Sequence, residues 1–248
     1  AESTANYENI VKSIADITDR LDPSRALTQG DNASHLDPNV LVDSYMDVIG
    51  GNYNPYYWSV IMNDSTDPRS SKPFVATESV SSNNSRGIYD TMSKYDFQCT
   101  SYDTYAVDWG NEAAEAWYYV ATNDFFSGEF VWTGFDYIGE TTPWMEYNGP
   151  NPNFVPNSSY FGIVDTAGFA KDSYYLYRSL WNEDSTTLHL VPGSWNDEKL
   201  YVENGYVNVA VYSNAKKVEL LSDEELLKVT GGGGELSPTV IEACNKMS

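Results

Sequence analysis

Positive charge is scarce in this chain. Fourteen Lys and Arg stand against 36 Asp and Glu, for a formal net charge of −22. That balance argues against nucleic acid as a partner and disfavours anionic membranes and uronic-acid polymers, all of which it repels. Histidine is nearly absent: only His35 and His189 occur, too few for a His-rich metal site, so no metal is expected. No phosphate-cradling glycine loop is present, because Gly231 to Gly234 follow no strand pattern. No cofactor is expected. No run of about 18 apolar residues exists, so no transmembrane helix is predicted. The two cysteines, Cys99 and Cys244, are far apart. Two buried free thiols are the favoured reading, with a disulfide left open. The chain shows no signal-peptide pattern, and Ala1 is not a natural initiator. A start after processing, trimming or fragmentation is therefore expected.

What is present suffices for a packed core: 41% of the 248 residues are hydrophobic. Tyr7, Ile10, Val11, Ile14, Ile17 and Leu21 recur at helical spacing and predict a helix over 5–21, stopped by Asp22 and Pro23. Strands are predicted at 25–29, 47–53, 73–77 and 129–133. Helices are predicted at 37–45, 86–95, 111–122 and 171–181, the last with Tyr174, Tyr177 and Leu180 or Trp181 inward. A long loop fills 141–159. Alternating strands and helices imply a parallel sheet with crossover helices. A closed barrel of that kind needs eight strands, and four appear before about residue 185, so the pattern suggests half a barrel. Beyond 185 the period becomes two, at 188–191, 206–212 and 217–221.

The segment from Phe130 to Glu140 reads FVWTGFDYIGE. An apolar strand there runs into an indole, a phenol and two carboxylates, the mixture that sugar sites use. Upstream, the run from Lys72 to Glu78 also ends a short apolar strand in a carboxylate. Glu78 then sits at the predicted C-terminal end of its strand, where barrel active sites lie.

These features resemble family 2 of the glycoside hydrolases, in particular its β-galactosidase-like members. The resemblance rests on FVWTGFDYIGE together with DPSR at 22–25, DVIGGNY at 47–53, ATES at 76–79, SRGIY at 85–89, QCTSYD at 98–103, YFGIVD at 160–165 and KDSYY at 171–175. It spans roughly residues 1–220. The resemblance implies an α/β fold: the C-terminal half of a TIM (β/α)8 barrel over 1–185, then part of an immunoglobulin-like β-sandwich over 186–248. It implies hydrolysis of terminal β-galactosides by a retaining double displacement within a larger enzyme. The alternatives are a β-glucuronidase, another family 2 exo-glycosidase, or a catalytically incomplete carbohydrate-binding or structural fragment. Compartment and aglycone stay open.

By the same resemblance Glu78 is the nucleophile and Tyr53 the phenol that supports it. Trp132 forms the floor of the sugar subsite. Asp136, Glu140 and Asn32 are further substrate contacts, with Asp31 and Arg86 as weaker candidates. Retaining enzymes pair the nucleophile with an acid/base carboxyl about 5–5.5 Å away. The family's acid/base ends a Gly-Asn-Glu motif, which Gly110, Asn111 and Glu112 imitate. The family order rejects the match, since the true motif precedes the DPSR region. Glu112 is instead expected at a helix N-terminus, and the acid/base upstream of Ala1. The expected partners are a carbohydrate and a missing N-terminal half, or another chain covering the barrel edges.

Overall fold

The computed structural model describes residues 2–32, 43–90, 97–142, 156–193, 200 and 202–219. The backbone divides into two compact units, one of residues 1–82 and 106–133, the other of 83–105 and 134–248.

The first unit opens with α1 (Glu2–Leu21). It continues through β1 (Ile49–Asn52), α2 (Pro55–Asn63) and β2 (Phe74–Val80). After the excursion into the other unit come α3 (Ala113–Thr122) and β3 (Phe126–Trp132). The three strands form one parallel sheet in the order β1-β2-β3. Parallel neighbours need a crossover, and α2 supplies it between β1 and β2.

No helix is predicted from the sequence at α2, although a signal exists. Asn54 adopts a left-handed backbone and caps the Tyr57 amide, and Pro55 fills the first turn. Trp58, Ile61 and Met62 then bury against Ile49, Phe74 and Ala76. Rings dominate this core, with Phe74 centred 5.1 Å from Trp58 and 4.9 Å from Phe126. Each such side chain contributes about 1.5–3 kcal/mol by leaving water. Two glycines make room for it. A Cβ on Gly51 would lie 2.5 Å from the Trp58 indole, and one on Gly50 would lie 2.0 Å from the Gln29 carbonyl oxygen.

One expectation in this unit needs correction. Residues 25–29 form no strand. The amides of Asp47 and Val48 converge on the single Leu27 carbonyl, which ends any ladder, and pairing with β1 is confined to a bridge at Asp31. In α1 the buried positions are Val11 and Ala15, whereas Ile10, Ile14, Ile17 and Leu21 are 47–76% exposed. The described residues cover only one flank of that apolar stripe. In α3 the inward residues are Ala113 and Ala116, and Ala121 faces solvent.

In the second unit, residues 86–90 are turn and bridge rather than helix, and Gly87 has a φ of 73° that a helix does not allow. Residues 91–95 of that expectation lie outside the described residues. So do 33–42, most of the helix expected at 37–45, and 143–155, most of the expected loop. α4 (Asp172–Trp181) buries Leu176 and Tyr177, while Tyr174 and Trp181 are 37% and 45% exposed. Tyr177 is thus inward as expected, whereas Tyr174 and Trp181 are not. β4 (Leu188–Val191) pairs antiparallel with β7 (Ala210–Ser213). Between them β5 (Val202–Glu203) and β6 (Tyr206–Val207) make a hairpin. Asn204 and Gly205, both at positive φ, form its turn. The domain boundary expected at 185 lies within the second compact unit, in the segment between α4 and β4. Cys99 is buried and free, burial pushing its thiol up to about 12, and Cys244 lies outside the described residues.

Candidate active site

β2 carries Glu78 to the edge of a cleft of about 730 Å³. Tyr53, just past β1, meets it twice. The Tyr53 amide donates to the Glu78 carbonyl at 2.7 Å, and the Tyr53 hydroxyl donates to Glu78 Oε2 at 2.6 Å. That O–H···O distance lies in the range of charge-assisted bonds. The backbone around the pair is strained. Tyr53 and Asn54 have φ of 53° and 47°, and Val80 and Ser81 have 76° and 55°. A left-handed backbone costs a non-glycine residue about 1–2 kcal/mol, most for a branched one such as Val80. Strain of this kind clusters where a site demands a particular geometry.

Amides form one wall. Asn52 Nδ2 donates to Asn32 Oδ1 at 3.0 Å, and Thr77 Oγ1 donates to Asn52 Oδ1 at 2.7 Å. Asn32 lines the same cleft as Glu78 and Tyr53. The facing residues, Asp108, Trp109, Gly110 and Asn111, belong to the turn before α3. Asn111 Nδ2 holds Glu115 at 2.9 Å, while its buried Oδ1 has no hydrogen-bond partner among the described residues. No Lys, Arg or His is among the described lining residues. Glu112 is the N-cap of α3 and does not line the cleft.

A second, much smaller space of about 10 Å³ lies among Trp58, Ala116, Val120 and Phe126, reaching Tyr53 and Glu78. Glu129 points its carboxyl group there from β3, opposite Ala76 in register. Among the described residues neither oxygen has a partner at good hydrogen-bond geometry, nor has the Trp58 Nε1. Burial pushes Glu129 up to about 7, offset a little by the Ser79 hydroxyl, which itself donates to the Phe130 carbonyl at 3.3 Å. At neutral pH this group is therefore substantially protonated.

The other candidates lie elsewhere. Trp132 ends β3 beside Val80, half-buried and not among the residues lining the cleft. Asp136 belongs to the second unit, where it accepts from the buried Lys171 Nζ at 2.8 Å and from the Gly162 amide at 2.8 Å. Lys171 also donates to the Asn84 carbonyl at 2.7 Å. Burial pushes the Asp136 carboxyl up and the Lys171 ammonium down, and each charge partly offsets the other's shift. Glu140 accepts from the Tyr137 hydroxyl and from Thr142 Oγ1. Arg86 pairs with Asp165 at 2.7 Å and lies over the Phe169 ring. Asp31 is buried at the β1 edge. Among the described residues no group of three or more His, Cys, Asp or Glu could hold a metal ion, and no helix is long and apolar enough to cross a membrane.

Asn52, Asn54, Asp108, Trp109, Asn111 and Glu129 are absent from the sequence candidates. Asn52 and Asn54 flank Tyr53, so a strand-end motif could have flagged them. The 107–111 turn had a signal too, but as an imitation of the acid/base motif.

Comparison with known proteins gives the class. No family model matches the chain. Over 202 residues it is 41% identical to the β-galactosidase BoGH2A of Bacteroides ovatus, a match covering 75% of this chain and 22% of that protein. In solved structures it resembles a β-glucuronidase of Bacteroides uniformis, with a TM-score of 0.60 at 13% identity over 86% of this chain and 25% of that one. A glycosyl hydrolase family 2 member from Bacteroides cellulosilyticus gives a TM-score of 0.58 at 23% identity, over 89% and 27%. The structural likenesses show a shared fold. The chain is of the glycoside hydrolase class. It belongs to family 2 of these enzymes and is β-galactosidase-like in sequence. It spans about a fifth of the length of its curated β-galactosidase relative.

Proposed function

We propose that this chain forms part of a retaining β-galactosidase in which Glu78 is the nucleophile. The Tyr53–Glu78 pair, held at 2.6 Å on the edge of an amide-lined cleft, carries the proposal. One Glu78 oxygen attacks the anomeric carbon while the bond to the aglycone oxygen breaks, and a general acid protonates the leaving oxygen. The resulting glycosyl ester is cleaved by water, deprotonated by the same acid/base group. Tyr53 orients the carboxylate and supports its charge before attack. Asn32 and Asn52 offer donors and acceptors to sugar hydroxyls, and Trp132 remains the proposed sugar floor. Asp136 and Glu140 receive no substrate role, since Lys171, Gly162, Tyr137 and Thr142 occupy them.

The acid/base group belongs, in this reading, to a further segment of a longer protein. That segment would also cover the exposed stripe of Ile10, Ile14, Ile17 and Leu21 on α1. The parallel sheet would then be the C-terminal half of a (β/α)8 barrel, and β4 and β7 the start of a β-sandwich. A galactoside is favoured by the identity to BoGH2A and by the lack of a cation in the described lining. A glucuronide is the second reading, favoured by the fold shared with the Bacteroides uniformis enzyme. A 2-fluoro-galactoside that traps glycosyl-enzymes should label Glu78 in the longer protein. Label on another carboxylate overturns the nucleophile, and trapping by the glucuronide analogue alone favours the second reading.

A further inference from the structure

We infer that the 107–111 turn is a specificity wall of the Glu78 cleft, with Trp109 stacking on a neutral sugar ring and Asp108 turning away sugars that carry a carboxylate. The inference rests on the proposed glycosidase site and adds residues to which no role has been given above.

The turn is fixed, not merely near. The Asn111 amide donates to the Val80 carbonyl at 2.6 Å, two residues past Glu78 on the same strand. The Gly110 amide closes the turn on the Val107 carbonyl at 2.9 Å. Only glycine fits at 110, because a Cβ there would lie 2.4 Å from the Val80 carbonyl oxygen. Asp108 and Trp109 therefore keep a set position relative to the end of β2.

Their chemistry is that of a sugar wall. Trp109 is 47% exposed and lines a cleft whose other described residues are amides, a phenol, carboxylates and a glycine. A half-exposed indole is a poor core residue and a good platform for the C–H face of a pyranose. Asp108 adds a second carboxylate to the cleft that holds Glu78, and no described lining residue carries positive charge. A hydroxyl can donate to Asp108, whereas a uronate carboxylate meets like charge with nothing to offset it.

The test titrates methyl β-galactoside and methyl β-glucuronide onto the chain, followed by tryptophan fluorescence and saturation-transfer NMR. The unsubstituted chain should bind the galactoside and reject the glucuronide. Trp109→Ala should weaken galactoside binding about tenfold or more, and Trp109→Phe should restore most of it. Asp108→Asn should admit the glucuronide to within about tenfold of the galactoside. Both side chains are exposed, so circular dichroism and melting should not change. If Trp109→Ala and Asp108→Asn bind as the unsubstituted chain does, the wall is overturned and the Glu78 assignment is untouched. If the unsubstituted chain binds neither sugar, or prefers the glucuronide, the wall is likewise overturned. Fluorosugar labelling of Glu78 then decides the nucleophile independently.

Discussion

Glu78 and Glu129 stand on neighbouring strands of one parallel sheet, yet their surroundings treat them in opposite ways. Glu78 borders a polar cleft and receives a phenol at 2.6 Å. Glu129 faces Trp58, Ala116, Val120 and Phe126, has only the weak influence of the Ser79 hydroxyl to set against burial, and is pushed up to about 7. A nucleophile must be ionised and reachable, whereas a carboxyl group in an apolar space keeps its proton. Partner and solvent, not the strand, decide which chemistry a glutamate has. Asp136 shows the third solution. Buried like Glu129, it faces the ammonium of Lys171.

The largest effect expected from this contrast is on turnover. In the complete enzyme Glu78→Gln should lower activity about 10⁴-fold or more while sugar binding survives, because nothing else forms the glycosyl ester. Glu129→Gln, measured beside it at neutral pH, should stay within several-fold of the native rate. Exchange of these two outcomes would reverse the contrast. The next effect is on stability. Lys171→Met leaves the Asp136 carboxylate without its counter-charge and should cost about 3–5 kcal/mol in urea unfolding. Adding Asp136→Leu should recover part of that loss, since removing both charges is cheaper than stranding one. A loss below about 1 kcal/mol for Lys171→Met would show that the carboxylate simply takes up a proton, as Glu129 does.

Elements with a clean period were legible. α1, α3 and α4 follow from spacing at 3.6, and β1, β2 and β3 from apolar runs at the right intervals. Which face of each helix turns inward was less legible, because Ile10 and Val11 look alike in sequence and only packing separates them. α2 was missed because Pro55 and two tyrosines resemble a loop start and hide the spacing of Trp58, Ile61 and Met62. In the candidate site, the strand-end position of Glu78 was readable from pattern. Its pairing with Tyr53 came only through resemblance to a family. Asp108 and Trp109 reach the cleft through a long excursion of the chain, and no local pattern carries that information. Glu129 was invisible for a different reason: alternation finds a strand but cannot tell which polar residue faces the helices.

Glu129 supplies the third effect, one of pH. Its carboxyl sits at about 7 in the folded chain against an ordinary 4.5. Between those values the native state holds a proton that the unfolded state has lost. Stability is therefore highest below the unfolded value, declines as pH rises toward about 7, and levels off above it. This one group accounts for about 3 kcal/mol of decline. Glu129→Gln mimics the protonated acid and removes the slope. The variant should match the native chain near pH 4.5 and exceed it in melting temperature near pH 8. Parallel curves for the two proteins would place the titration elsewhere.

The smallest effect concerns the phenol that separates the two glutamates chemically. Tyr53→Phe keeps the ring and the left-handed backbone, so folding should be nearly unchanged. It removes a single donor to Glu78, and a hydrogen bond to a charged group contributes about 1.5–3 kcal/mol. Turnover of the complete enzyme should fall about tenfold to a hundredfold, well short of the Glu78→Gln loss. The fluorosugar trapping rate should fall by the same factor, because the phenol acts on the attacking group, and sugar affinity should hold. A variant that loses affinity while trapping at the native rate under saturation would make Tyr53 a sugar contact. The asymmetry between Glu78 and Glu129 would then rest on solvent access alone.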